Sequence, residues 1–174
     1  MKKLLMVAVM MLASTSMFAE KGDMWVGASA NYALHSDYKN FGIGARLQWE
    51  FIDNFRAEPF FNYYFKKDYV SMWEAGVNAQ YLINLGKDGF NVYPAVGIGV
   101  LGAKVTIPGG SYSSSGVTVT VSESSASDQH IDFSFGAGIE YPVSEAIKVF
   151  GEAKYRVCKD YNCPVIAAGV AFKF

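Results

Sequence analysis

Apolar and polar residues alternate along most of this chain, and residues 41–51 show the pattern most clearly. One set of alternate positions holds Phe41, Ile43, Ala45, Leu47, Trp49 and Phe51, and the other holds Gly42, Gly44, Arg46, Gln48 and Glu50. Successive side chains of a β-strand point to opposite faces, so a period of two predicts a strand with one apolar face and one polar face.

The same alternation recurs in eight segments along the chain. They are residues 24–34, 41–51, 55–65, 73–81, 92–100, 131–141, 147–157 and 166–174. Most have the roughly 9–11 residues that a tilted strand needs to cross a bilayer, and an even number of strands returns both termini to one side. No segment after the N-terminal region has the roughly 18 uninterrupted apolar residues of a helical span. The sequence therefore predicts an all-β fold, an eight-stranded antiparallel up-and-down transmembrane β-barrel.

The polarity of the alternation separates this prediction from a soluble lipid-binding barrel. Such a barrel also has eight strands, but its apolar residues line the cavity. Here the other face carries six bases and six acids, which a lipid-binding cavity would not tolerate. They are Arg46, Glu50, Arg56, Glu58, Glu74, Asp132, Glu140, Lys148, Glu152, Lys154, Arg156 and Lys173. An eight-stranded barrel has just enough interior to hold its side chains, so these charges are expected to pair and plug the lumen. Charges lining a wet lumen are the alternative interpretation.

The connections alternate in length, as they do in bacterial outer-membrane barrels. Segments 52–54, 83–89 and 144–146 are short and rich in turn residues, whereas the opposite set includes the long segment 107–129. Aromatic residues at the strand ends predict two interfacial girdles. Trp49, Phe51, Phe55, Tyr81, Tyr141, Phe172 and Phe174 form the inner one, and Tyr32, Phe41, Tyr63, Phe65 and Tyr69 form the outer one.

Within segment 107–129, residues 117–121 (Val-Thr-Val-Thr-Val) have strong β propensity. The fifth and sixth strands are therefore expected to continue beyond the membrane as a protruding hairpin with a flexible stretch at 109–116. A disordered loop is the alternative.

The N-terminus has the order of a secretory signal peptide. Lys2 and Lys3 precede an apolar run at 4–13, and small residues follow up to Ala19. We expect residues 1–19 to be the signal peptide, with cleavage after Ser16 as the alternative, and residues 20–174 to form the barrel. Removing two of the 15 bases leaves 13 against 16 acids, a net charge of −3. This mild acidity gives no reason to expect a nucleic-acid partner.

The sequence offers little for catalysis, metals or cofactors. Cys158 and Cys163 are expected to form a disulfide that braces the last outer loop, with free thiols or a metal as alternatives. His130, Asp132 and Ser134 share one face of a strand and resemble a nucleophilic set. Neighbours on that face are about 7 Å apart, too far for direct hydrogen bonds without side-chain reach, so a solvated loop-end histidine is favoured. The paired glycines at 42/44, 97/99 and 136/138 point inward and make room in the lumen. No cofactor or metal is expected.

The end of the chain carries a resemblance to a known family. Residues 170–174 (Val-Ala-Phe-Lys-Phe) resemble the C-terminal insertion signal of outer-membrane barrels, and segments 56–59 and 93–99 also look like that family. The mature chain resembles the outer membrane protein beta-barrel domain family, porin-family proteins of the OmpA/OmpX type. The resemblance implies an outer-membrane location in the lipid bilayer. It also implies that the barrel assembly machinery reads Phe172 and Phe174.

Activity is less constrained than architecture, because this fold hosts several functions. The OmpX-like hairpin implies a structural or adhesion-like role, with an extracellular partner bound through loop 107–129. A small-solute porin is the alternative, and a lipid A-modifying enzyme is a lesser one. The short His-x-Ser signature of lipid A deacylases is absent from the late strand, where residues 154–157 read Lys-Tyr-Arg-Val. The chain is expected to be a monomer without enzymatic activity.

Overall fold

The computed structural model describes residues 22–35, 39–67, 70–86, 89–107, 110–114, 117–121, 124–159 and 161–174. Nearly all of these residues are β-strand. The strands are β1 (Met24–Leu34), β2 (Lys39–Ile52), β3 (Phe55–Lys67), β4 (Val70–Tyr81), β5 (Ile83–Asn84), β6 (Asn91–Ile107), β7 (Gly110–Ser114), β8 (Val117–Val121), β9 (Ser124–Ser144), β10 (Ile147–Cys158) and β11 (Cys163–Lys173). Within these ranges no helix is long and apolar enough to cross a membrane.

Eight of the strands close into an antiparallel barrel, which confirms the predicted fold. The order is β4-β3-β2-β1-β11-β10-β9-β6, and a further pairing between β4 and β6 closes the ring. The first and last strands meet along a regular ladder, in which Ala28 pairs with Val170. Strand β5 only extends the short turn before β6, where sequence reasoning expected no strand.

The predicted inward and outward faces are confirmed along the strands. On β2, Phe41 is 50% exposed and Ile43 is 52% exposed, whereas Arg46 is 4% exposed and Gln48 is fully buried. The weaker first strand follows the same rule, with Val26 and Tyr32 outward. The outer surface is thus apolar and the interior polar, the arrangement of a barrel whose solvent outside is lipid.

The two ends of the barrel differ, and we call them the turn end and the loop end. The turn end holds both ends of the described chain and tight turns such as Asp53-Asn54, where Asn54 has a φ of 67°. This is the left-handed region that asparagine tolerates better than most residues. At the loop end, β6 and β9 stay paired as far as Ile107 and Ser124.

Beyond this pair, β7 and β8 form a two-stranded ribbon. The continued pairing of β6 with β9 and the β structure of residues 117–121 confirm that a hairpin forms here. The expected flexible stretch is wrong at residues 110–114, which form β7, because they pair with β8.

Aromatic side chains meet at both rims of the outer surface. At the turn end, the rings of Phe55 and Tyr81 have centroids 4.9 Å apart. At the loop end, Phe41 stacks on Phe65 at 5.9 Å. These contacts agree with the predicted girdles. Tyr69 and the predicted signal peptide, residues 1–19, lie outside the described residues.

Candidate functional site

The interior is arranged in layers, and the first layer above the turn end is centred on Glu140. Arg56 Nη1 lies 2.7 Å from Glu140 Oε2, and Lys148 Nζ lies 3.3 Å from the same oxygen. Asn91 donates to the other carboxylate oxygen at 3.1 Å. Three strands thus contribute charge or amide groups to one buried carboxylate on a fourth strand, which holds this level of the barrel together.

The middle layer contains two carboxylates, Glu58 and Glu152. Glu58 is fully buried and accepts hydrogen bonds from Arg46 at 3.3 Å, Gln48 at 2.8 Å and Asn78 at 2.9 Å. Glu152 lies 2.9 Å from Lys154 Nζ and 3.5 Å from Arg46 Nη1. Arg46 therefore links acids on β3 and β10 across the lumen.

The third layer is centred on Glu74. Its Oε2 lies 3.2 Å from Arg156 Nη1 and also accepts hydrogen bonds from Tyr64 at 3.1 Å and Asn62 at 3.3 Å. An unpaired buried charge is strongly destabilising. The pairing of these four glutamates, Glu140, Glu58, Glu152 and Glu74, explains how the barrel tolerates several ionised groups.

Interior cations also lie over interior aromatic rings, within the distance of a cation–π contact. Arg46 lies over Phe150 at 4.5 Å, Arg56 over Tyr93 at 4.9 Å, Lys148 over Trp25 at 4.4 Å, Lys154 over Phe60 at 5.0 Å and Arg156 over Tyr64 at 5.5 Å. The sequence alone does not mark Trp25, Phe60 and Phe150 as partners of the interior charges. Their positions in the alternation place all three inward, so the signal was present.

An apolar cluster closes the interior at the loop end. It comprises Ala33, Tyr64, Met72, Leu101, Ala103, Cys158, Cys163 and Val165, all inward-facing and buried. Met72 is fully buried and Leu101 is 1% exposed. This cap was not predicted from the sequence, although the same period-two count places Met72 and Leu101 inside.

Free space inside the barrel is distributed unevenly among the described residues. Beside Arg46, Glu152 and Arg156 the free volume is about 10 Å³, room for roughly one water molecule. At the turn end a vestibule of about 280 Å³ reaches as far as Glu140 and Lys148. The vestibule is therefore separated from the loop end by the charged layers and the apolar cap.

Three of the predicted interior charges occupy different surroundings from the rest. Lys173 lies at the mouth of the turn end, where its side chain is 40% exposed and its Nζ lies 2.6 Å from Asp23 Oδ1. Glu50 is half-buried and lines the vestibule. Asp132 is buried, and its Oδ1 has no hydrogen-bond partner among the described residues. The interior charges are thus not one uniform network.

The disulfide predicted between Cys158 and Cys163 is not formed in the structure, where both are buried free thiols. Cys163 pairs in register with Arg156, so Cys158 stands two residues further along, diagonally across the ladder. Diagonal neighbours are about 7–8 Å apart, whereas a disulfide joins Cα atoms at about 4.4–6.8 Å. Cys163 Sγ instead accepts a hydrogen bond from Arg156 Nη2 at 3.1 Å.

We expect both thiols to resist maleimide in the folded barrel, because Cys158 is 2% and Cys163 is 1% exposed. Both should react after unfolding in denaturant, and the number of labels per chain is read by mass spectrometry. Labelling that requires a reductant even in the unfolded chain would contradict the free-thiol state and reinstate the disulfide.

In the possible nucleophilic set of His130, Asp132 and Ser134, the histidine contacts an aspartate outside the set. His130 Nε2 lies 2.8 Å from Asp128 Oδ2, and Asp128 is exposed to solvent. Asp132 and Ser134 point inward below it. Across the described ranges no group of three or more His, Cys, Asp or Glu side chains is placed to hold a metal.

Comparison with solved structures finds the same architecture in several outer-membrane proteins. Neisserial surface protein A is 16% identical with a TM-score of 0.64, and the match covers 88% of this chain and 97% of that one. Ail, the attachment invasion locus protein of Yersinia pestis, is 16% identical with a TM-score of 0.58, covering 88% and 97%. The N-terminal β-barrel domain of Pseudomonas aeruginosa OprF is 18% identical with a TM-score of 0.58, covering 88% and 100%.

At these identities the likeness shows the fold. No curated protein matches the chain. The family model for the outer membrane protein beta-barrel domain matches residues 4–174, almost the whole sequence. With its closed barrel and lipid-compatible outer face, the chain belongs to the outer membrane protein beta-barrel domain family and is a protein of the bacterial outer membrane.

Proposed function

We propose that this protein is a non-catalytic outer-membrane barrel that is closed to solutes and acts at the cell surface through its outer loops, above all loop 107–129. The observation that carries the proposal is that side chains fill the barrel interior at successive levels. Layers of paired charge lie around Glu140, Glu58, Glu152 and Glu74, and an apolar cap follows at the loop end. If solutes do not pass through the barrel, the protein would act through the exposed ends of the barrel.

The loop end supports a surface role. Short turns face the periplasm in outer-membrane barrels and longer loops face outward, so the long hairpin would project from the cell. Pairing of β6 with β9 as far as Ile107 and Ser124 gives it a rigid base. Ail, an attachment invasion locus protein, uses the same fold. A hairpin with a rigid base would lose less conformational entropy when it binds a partner.

Planar-bilayer recordings of refolded residues 20–174 are expected to show no steady channel, because opening a path requires separating buried ion pairs and displacing Met72 and Leu101. The measurement is single-channel conductance, with protein-free bilayers and an open porin as controls. A stable channel of reproducible size would overturn the closed-barrel proposal and favour the small-solute porin.

A hairpin replacement tests the surface role separately from closure. Residues 108–123 can be exchanged for Asn-Gly, because Ile107 and Ser124 are already paired and a two-residue turn of this kind closes a hairpin. Binding of the barrel to host-cell surfaces should be lost while heat-modifiable gel migration and the absence of conductance are retained. Unchanged binding would exclude this hairpin as the interaction element.

The C-terminal residues are proposed to carry the insertion signal. Phe172 and Phe174 face outward, at 47% and 57% exposure. Phe174→Asp should reduce the assembled barrel in the outer membrane several-fold, because it removes the terminal aromatic group that the assembly machinery would read. The readout is the heat-modifiable folded fraction in isolated membranes, with Phe65→Tyr as a control on the outer surface. Wild-type levels of folded Phe174→Asp would contradict the assignment.

A further inference from the structure

The edge of β9 near the loop end is exposed on one side but is protected by side chains. Pairing with β10 ends at Asp132 and Cys158, so residues 124–131 are paired with β6 alone. The Gln129 N–H donates to Asp128 Oδ1 at 2.9 Å, and Asp128 Oδ2 lies 2.8 Å from His130 Nε2. A charged side chain over a free strand edge is a known way to block pairing with another chain.

The β7–β8 ribbon contains no charged residue that could protect its edges in this way. In the described part of the chain each of these strands pairs only with the other, from Gly110 with Val121 to Ser114 with Val117. In an antiparallel pair about half of the backbone N–H and C=O groups point away from the partner strand. The sequence between Lys104 and Glu123 contains no charged residue, and neither strand contains proline.

These features make the ribbon suited to pairing with an identical ribbon. Low charge and lack of proline in both strands, together with the high β propensity of β8, are properties of strands that add to one another. Two copies carry no charges on the ribbon that would repel, and antiparallel pairing of identical edges gives a self-complementary two-fold contact. An isolated two-stranded ribbon is only marginally stable in water, so a third and a fourth strand would stabilise it.

We propose that the β7–β8 ribbon binds the same ribbon of a second copy of this chain, edge to edge, and so joins molecules in facing membranes. This contact rests on the proposed function, because it requires the hairpin to project outside the cell. It specifies the partner as the protein itself and the mode as strand addition, with β8 at the new junction.

Clustering of proteoliposomes tests the proposal directly. Vesicles carrying the refolded protein should cluster, seen as a several-fold rise in mean hydrodynamic diameter by dynamic light scattering. The double variant Thr118→Lys/Thr120→Lys should stay dispersed, because like charges face each other across the antiparallel edge. Gln129→Lys, on the already protected edge, is the matched control and should cluster like the wild type.

Replacing the two added lysines by glutamates gives the most direct test of self-pairing. Vesicles with Thr118→Glu/Thr120→Glu should also stay dispersed alone, and a mixture of the Lys and Glu vesicles should cluster again. Heat-modifiable migration shows that each variant is folded. The self-pairing proposal would be overturned if wild-type vesicles stayed dispersed, or if the added charges had no effect on clustering. The proposed surface function is judged separately, by host-cell binding of the hairpin replacement and by conductance.

Discussion

Arg56→Met is expected to lower the free energy of unfolding by about 3 kcal/mol, near the lower end of the cost of breaking a buried ion pair. The Arg56 side chain is fully buried, lies 2.7 Å from Glu140, donates to Gln80 and covers the Tyr93 ring. Methionine keeps much of the volume and removes all of the charge. Glu140 would then retain Lys148 as its cation, at 3.3 Å.

Equilibrium unfolding by denaturant in lipid vesicles measures this effect, with tryptophan fluorescence as the signal and refolding as the test of reversibility. Lys173→Met is the matched control, since it breaks an ion pair at the exposed mouth and should cost about 1 kcal/mol or less. Combining Arg56→Met with Glu140→Gln should cost less than the two single changes added together. Strict additivity would show that the two groups do not stabilise each other.

Gly138→Val is expected to destabilise the barrel by about 3 kcal/mol, the upper range for overpacking a filled core. The Tyr93 ring lies across Gly138 on the neighbouring strand, so an added Cβ would collide with the ring. Tyr93 cannot move away freely, because Arg56 lies over it at 4.9 Å and its hydroxyl donates to Glu152 at 3.4 Å. The substitution would therefore disturb two charged layers at once.

Gly151→Val provides the control for this change. Gly151 faces outward, and the nearest heavy atom to an added Cβ is Ile139 Cγ1 at 3.8 Å. We expect Gly151→Val to be neutral or stabilising by up to about 1 kcal/mol, because it lowers the entropy of the unfolded chain. Tyr93→Ala in the Gly138→Val background should recover part of the loss. Equal effects at the two glycines would show that steric fit to Tyr93 is unimportant.

Much of this architecture could be predicted from the sequence, because a membrane barrel imposes a period of two over its whole length. Position within the alternation decides whether a residue such as Arg46 or Phe41 points inward or outward, so orientation follows from counting. The membrane barrel also imposes the even number of strands and the contrast between short turns and the long segment 107–129. Strand structure at 110–114 was missed, because Gly and Ser have low β propensity and pairing with β8 supplied what the local sequence lacks.

Contacts inside the barrel could not be predicted in the same way. Counting shows that Arg46 and Glu152 point inward, but which cation meets which acid depends on strand register and barrel tilt. The two cysteines show the limit most clearly. Two cysteines in an exported chain predict a disulfide, whereas the register sets Cys163 opposite Arg156 and leaves Cys158 two positions away.

The junction between the first and last strands has a consequence for how the barrel forms. Phe174 N–H donates to the Met24 carbonyl at 3.2 Å, and Lys173 pairs with Asp23. Arg46, on β2, reaches Glu152 on β10 across this junction. The middle layer is therefore incomplete until strands from the two ends of the chain have met. Contacts so distant in sequence carry a large loop-closure cost before they contribute stability. Ring closure should accordingly be a late, cooperative step, and a chain stalled before β11 docks would keep the Arg46–Glu58 and Lys154–Glu152 pairs but lack the Arg46–Glu152 contact that joins them.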